Sequence, residues 1–200
     1  MRTTSKSFAS IFALLVTTTV TACGGGGANQ NSASATAAVE NKKSADQTMP
    51  KAPDHPESDK VTWKRDGKSC HTNDKGAGDL AASVTTMAKG CVDTGKMKML
   101  GQPTQGKGSE TGQMVTPIPL NAKANHCYRV FGLAQSSVTD FDVAVMDSAG
   151  KSAGEDLTDS NDAIVLEDGA ICFKVDDTVA VNAAVASGAG NWVVEIWSDE

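Results

Sequence analysis

The stretch DFDVAVMD at residues 140–147, followed by the turn residues Ser148-Ala149-Gly150, decides the fold class of this chain. Phe141, Val143 and Val145 alternate with Asp142, Ala144 and Met146, which is the period of a half-buried β-strand and not of a helix. The same alternation recurs on either side. VTPIPL (115–120), HCYRVFGLA (126–134), AIVLE (163–167), AICFKVD (170–176), TVAVNAAVA (178–186) and NWVVEIW (191–197) read as six further strands. Asp147-Ser148-Ala149-Gly150, Glu167-Asp168-Gly169 and Gly188-Ala189-Gly190 read as turns between them. Short strands in succession without intervening helices predict a mainly β domain, an antiparallel sandwich or barrel, over residues 115–200.

Upstream, residues 59–114 read as a helix and loop segment. Asp79 can cap a helix in which Leu80, Val84, Met87 and Ala88 share one face, with Gly90 near its exit. The glycine-rich run from Gly95 to Met114 shows no periodicity. Charge divides unevenly along the folded part. Residues 59–138 carry 11 Lys and Arg against 6 Asp and Glu, whereas residues 139–200 carry 2 against 14. A formal net charge of −6 over 200 residues argues against a nucleic-acid partner, since phosphate contacts require a basic surface.

The N-terminus carries an address. Arg2 and Lys6 precede thirteen uncharged residues, Phe8 to Val20, which fits the apolar region of a secretory signal and is too short for a spanning helix. Val20-Thr21-Ala22-Cys23 resembles the lipobox of bacterial lipoproteins. The resemblance implies a signal peptide at 1–22, diacylglycerol and fatty acyl groups such as palmitate on Cys23, and a membrane held through lipid. Gly24 after the cysteine favours the outer membrane of a bacterial cell envelope over retention at the inner one. Gly24 to Ser58 contains Val39 and Met49 as its only large apolar side chains, so residues 23–58 are expected to form a disordered tether with a reach of about 30–35 Å.

Four cysteines remain beyond Cys23, and an even number in an exported chain predicts two disulfides. Three connectivities are open. Cys70–Cys91 and Cys127–Cys172 are favoured because each pair brackets one segment: a short stapled helix in the first case, a group of strands in the second.

CYRV, TDFDVAVMDSAG and the terminal GAGNWVVEIW together resemble the bacterial pre-peptidase C-terminal family of jelly-roll-like β-sandwiches, over residues 115–200. The matching positions are Asp140, Phe141, Asp142, Val143, Gly150, Gly190 and Trp192. The resemblance implies an extracellular, non-catalytic accessory module, of a kind some of whose members bind calcium or polymeric substrates.

The chemistry available to the chain is limited. Cys70-His71, Cys91 and His126-Cys127 offer soft ligands, but no C-x-x-C pair accompanies them, and no haem motif occurs. Three histidines, two of them beside cysteines, and no G-x-S-x-G or H-E-x-x-H motif speak against an enzyme. Acidic residues crowd the C-terminal part, and Glu155, Asp156, Asp159 and Asp162 are the candidate calcium ligands; the competing reading is Asp-rich turns satisfied by their own backbone. Trp192 falls on the inward set with Val194 and Ile196. Trp197 falls on the opposite set beside Glu195, where it either packs under the N-terminal segment or offers a platform to a glycan. The expected function is thus a non-catalytic, envelope-anchored lipoprotein whose sandwich binds or scaffolds a protein or polymer partner. A calcium- or glycan-binding accessory module, and a purely structural envelope component, are the alternatives.

Overall fold

The computed structural model describes residues 55–200, except 68–69, 71–75, 77, 94, 113 and 157. The signal peptide, Cys23 and residues 24–54 of the tether lie outside the described residues. Ten strands and one α-helix follow each other in the order β1 (Val61–Arg65), α1 (Leu80–Cys91), β2 (Lys98–Met99), β3 (Thr104–Ser109), β4 (Thr116–Ala122), β5 (Cys127–Ala134), β6 (Val138–Met146), β7 (Ser152–Glu155), β8 (Asp162–Val165), β9 (Gly169–Phe173) and β10 (Asp177–Ser198). The described part is therefore mainly β, and every strand pairing in it is antiparallel.

β10 organises the whole. It runs for 22 residues, through Gly188-Ala189-Gly190, where the sequence reading expected a turn. The glycines there mark a bulge and not a chain reversal: the register with β6 slips at Ser187 and again at Gly188. Gly188 has φ +88°, and a β-carbon on it would come within 2.3 Å of the Ser137 carbonyl oxygen, so only glycine lets the strand bend here. On the N-terminal side of the bulge β10 pairs with β4 and β6; on the C-terminal side it pairs with β3, β2 and β5. One bent strand thus belongs to both layers. The hydrogen-bonded path is β1-β9-β5-β10-β6-β7, and its two ends meet. Ser58 N donates to Ser152 O at 2.9 Å and Trp63 Nε1 donates to Ala153 O at 2.6 Å, which brings the sheet close to a barrel.

Residues 59–114, read from sequence as helix and loop, also supply β1, β2 and β3 to the sheet, and neither these nor β7 are legible as strands. β3, TQGKGS, has no apolar alternation because the neighbouring β10 supplies the bulk: a β-carbon on Gly106 would lie 2.1 Å from Trp192 Cζ2. Likewise Ser58, grouped by composition with the tether, belongs to the folded body. It is 1% exposed and its hydroxyl donates to Asp147 at 2.7 Å.

Two apolar clusters form, one on each face of the β5–β10 region. The main one fills the space between the layers with Val130, Phe141, Val143, Ile171, Val181 and Trp192 among others, Phe141 and Trp192 stacking at 5.7 Å. The second lies under α1, where Leu80, Val84, Met87 and Ala88 meet Phe131, Leu133, Val193 and Trp197. β5 is consequently covered on both faces, which explains why HCYRVFGLA is more continuously apolar than the other strands. α1 starts as expected, with Asp79 accepting from Ala81 N at 3.0 Å.

Cys127 and Cys172 are directly opposite each other on β5 and β9 and are joined as a disulfide, so the bond ties neighbouring strands. Cys70 and Cys91 are also brought together, at the C-terminal end of α1, but as two buried thiols and not as a bridge. The Cys91 thiol is directed at the Cys70 carbonyl oxygen, 3.5 Å away.

Candidate functional site

β1 is the end strand of the sheet path. It pairs with β9 on one side, and among the described residues no strand pairs with its other side. A groove beside β1 is lined by His55, Pro56, Ser58, Thr62, Trp63, Arg65 and Lys174. Trp63 is half-buried, pinned by its bond to Ala153 O, and presents part of its ring to the groove. The Arg65 guanidinium lies 5.3 Å from the Trp63 ring centroid, a cation–π distance, and Arg65 Nη1 is held by Asp168 at 2.6 Å. Lys174 is exposed and bonds the Asp59 carbonyl oxygen at 3.0 Å. An aromatic face, two cations and an end strand are thus assembled from the N-terminal segment and the β9–β10 turn. Such a surface can take an extended, polar chain by stacking and ion pairing.

Trp63 could not be assigned to this surface from its sequence context, because nothing in VTWKR marks which side its ring faces. Trp197 is the converse. It is 5% exposed, packs under α1 and donates through Nε1 to Glu195 at 2.9 Å, so it offers no platform to a glycan. The sugar reading of Trp197 is corrected by the helix that covers it.

The four candidate calcium ligands do not converge either. Asp156 is buried, accepts from Ile164 N at 3.3 Å and from the Thr158 hydroxyl at 3.2 Å, and is pushed up to about 7 by burial. Asp162 accepts from the Ser160 hydroxyl at 2.6 Å, while Glu155 and Asp159 point to solvent. Among the described residues no group of three or more His, Cys, Asp or Glu side chains is arranged to hold a metal ion. The Asp156 and Asp162 carboxylates accept from donors of their own loop, as Asp side chains in turns do. Burial also raises Asp140, with the negative charges of Asp142 and Asp159 adding to it, and Asp142, with those of Asp159 and Glu155 adding to it.

Arg129 was not anticipated. It is 3% exposed in the middle of β5, on the face under α1, and it contacts Asp66, Cys70, Cys91 and the carbonyl of Glu167. An arginine interrupting an otherwise apolar strand is the signal that would have found it. Among the described residues no helix is long and apolar enough to cross a membrane. No protein-family model matches the chain, and no curated protein matches it.

Proposed function

We propose that this chain is a non-catalytic lipoprotein of the bacterial cell envelope, anchored through acyl groups on Cys23, whose β-sandwich binds a protein or polymer partner along β1. The groove carries this reading: Trp63, Arg65 and Lys174 sit together beside a strand with a vacant pairing side, an arrangement suited to holding a chain and not to turning over a small molecule. The lipobox-like Val20-Thr21-Ala22-Cys23 supports the anchor, and a disulfide between adjacent strands belongs to the chemistry of an oxidising compartment. With the bend in β10 and the end-to-end contacts of the path, a jelly-roll-like sandwich of the pre-peptidase C-terminal kind remains the finer reading of the architecture. An outer-membrane location follows from Gly24.

Two experiments test it. Growth with a clickable fatty acid labels the protein, and Cys23→Ser abolishes that label. A photo-reactive amino acid placed at Thr62 in the full chain, in intact envelopes, gives a discrete cross-linked product that the same group at Lys96, an exposed position beyond α1, does not. Equal products from both positions would remove the groove from the proposal, and unchanged labelling of Cys23→Ser would remove the anchor.

A further inference from the structure

A buried guanidinium needs negative charge or strong acceptors around it. Arg129 has a carboxylate, Asp66, at 3.2 Å, but that side chain is 42% exposed. Its other partners are the Cys91 carbonyl oxygen at 3.1 Å, the Glu167 carbonyl oxygen at 2.9 Å and Cys70 Sγ, 3.3 Å from Nη2. Of the two buried thiols it is the Cys70 sulfur that the Arg129 guanidinium contacts directly, so a thiolate at Cys70 would be paired there. The second cysteine is already in place, since Cys91 lies in the last turn of α1 with its thiol turned toward Cys70.

We propose that Cys70 and Cys91 form a thiol–disulfide exchange site, with Cys70 as the attacking thiolate, Cys91 as the resolving thiol, Arg129 as the positioning residue and a small disulfide as the reactant. The acidities run the same way. A hydrogen bond from Cys91 outweighs burial at Cys70 and, with the Arg129 charge, brings it down to about 7 from 9.0. The same bond, together with burial, holds Cys91 protonated.

The chemistry balances as two displacements. The Cys70 thiolate attacks one sulfur of a disulfide RSSR; the S–S bond breaks, and RS⁻ leaves and takes a proton from water. Cys91 then releases its proton to water and attacks Cys70 Sγ, displacing the second RS⁻. Two electrons pass from the cysteines to RSSR, leaving a Cys70–Cys91 disulfide and two RSH. With Cys70 5% and Cys91 7% exposed, exchange waits on a local opening, so its rate reflects that opening as well as the thiolate.

Reduction of this bond restores the thiolate–guanidinium contact, and a stabilised reduced form makes a disulfide easier to open. Cys127–Cys172 has the opposite surroundings: Cys127 N donates to the Asp199 carboxylate at 2.8 Å, whose charge opposes a thiolate there. The two bonds of one small domain thus differ in kind, one structural and one exchangeable.

The test equilibrates the full chain in a series of reduced and oxidised glutathione buffers, quenches in acid, alkylates, and maps each cysteine by peptide mass. Cys70–Cys91 is expected to be half-open under conditions at least a hundredfold less reducing than Cys127–Cys172 requires, about 60 mV. Arg129→Gln is expected to move the Cys70–Cys91 midpoint tenfold toward the disulfide, about 30 mV, which a role in packing alone would not do. Cys91→Ser is expected to stop at a Cys70–glutathione mixed disulfide. A shared midpoint for the two bonds overturns the proposal, as does a folded Arg129→Gln with an unmoved midpoint. If Arg129→Gln does not fold, the midpoint gap and the Cys91→Ser adduct decide, and absence of the adduct is fatal.

Discussion

The Glu195 side chain, 1% exposed on β10, is held from two directions: Trp197 Nε1 donates to its Oε2 at 2.9 Å, and the Thr85 hydroxyl of α1 hydrogen-bonds its Oε1. This polar contact seats α1 on the sheet within an otherwise apolar cluster. The same hydroxyl lies 2.8 Å from the Ala81 carbonyl oxygen, so one proton serves two acceptors.

That shared proton makes a discriminating prediction. Thr85→Val leaves a buried carboxyl oxygen without its donor and lowers stability by about 1–3 kcal/mol. Glu195→Gln lets the new amide donate to Thr85 while its oxygen still accepts from Trp197, so it keeps or raises the melting temperature. A loss from Glu195→Gln as large as that from Thr85→Val would overturn this account, since the amide keeps both hydrogen bonds.

Gly106 on β3 lies against the indole of Trp192, which in turn stacks on Phe141. Gly106→Ala must displace a packed ring and costs about 1–3 kcal/mol in denaturant titration. Gly112→Ala, whose nearest neighbour would be Ser109 Oγ at 3.7 Å, is expected to stay within about 0.5 kcal/mol of the parent.

Stability should fall as the pH rises from about 5 to about 7. The folded Asp156 carboxyl, pushed up by burial against its hydrogen bonds, still holds a proton where the unfolded chain, near 3.8, has lost it. Folding therefore takes up protons in that window, and the favourable contribution disappears as the folded group ionises. Asp140 and Asp142 act in the same direction. Asp147 and Asp177 run the other way, because hydrogen bonds from Lys151 N and from Ser148 outweigh burial; their contribution is lost only as the pH drops below about 4. Melting temperatures at pH 5 and 7 measure the slope, and Asp156→Asn flattens it.

Reduction of Cys127–Cys172 releases a closed loop with a sequence separation of 45. On chain-entropy grounds it lowers stability by about 4 kcal/mol. Cys127→Ala/Cys172→Ala, compared with the parent by thermal unfolding in the absence of reductant, measures this directly.

The strands whose two faces differ were legible in the alternation of their side chains. DFDVAVMD and TVAVNAAVA set apolar against polar or small residues at period two, and burial follows that pattern because one side of each strand meets the core. The Asp79 cap and the Leu80, Val84, Met87, Ala88 stripe were legible for the same reason: helix geometry is local. What sequence could not supply was anything decided by a neighbour distant in the chain. Gly188 and Gly190 look like a turn until Ser137 is seen to occupy the space beside them, and β3 looks like a loop until Trp192 is seen to fill the space its glycines leave. Sequence leaves Trp197 either exposed or packed under the N-terminal segment, and α1 lying over it decides for packing. Trp63, Arg65 and Lys174 become one surface only because β1 pairs with β9, more than a hundred residues along the chain. Arg129 meets Cys70 and Cys91 only because α1 docks on β5. Period and capping are set within a few residues, whereas bulges, covered faces and sites are set by which elements meet. That information resides in the contacts between elements.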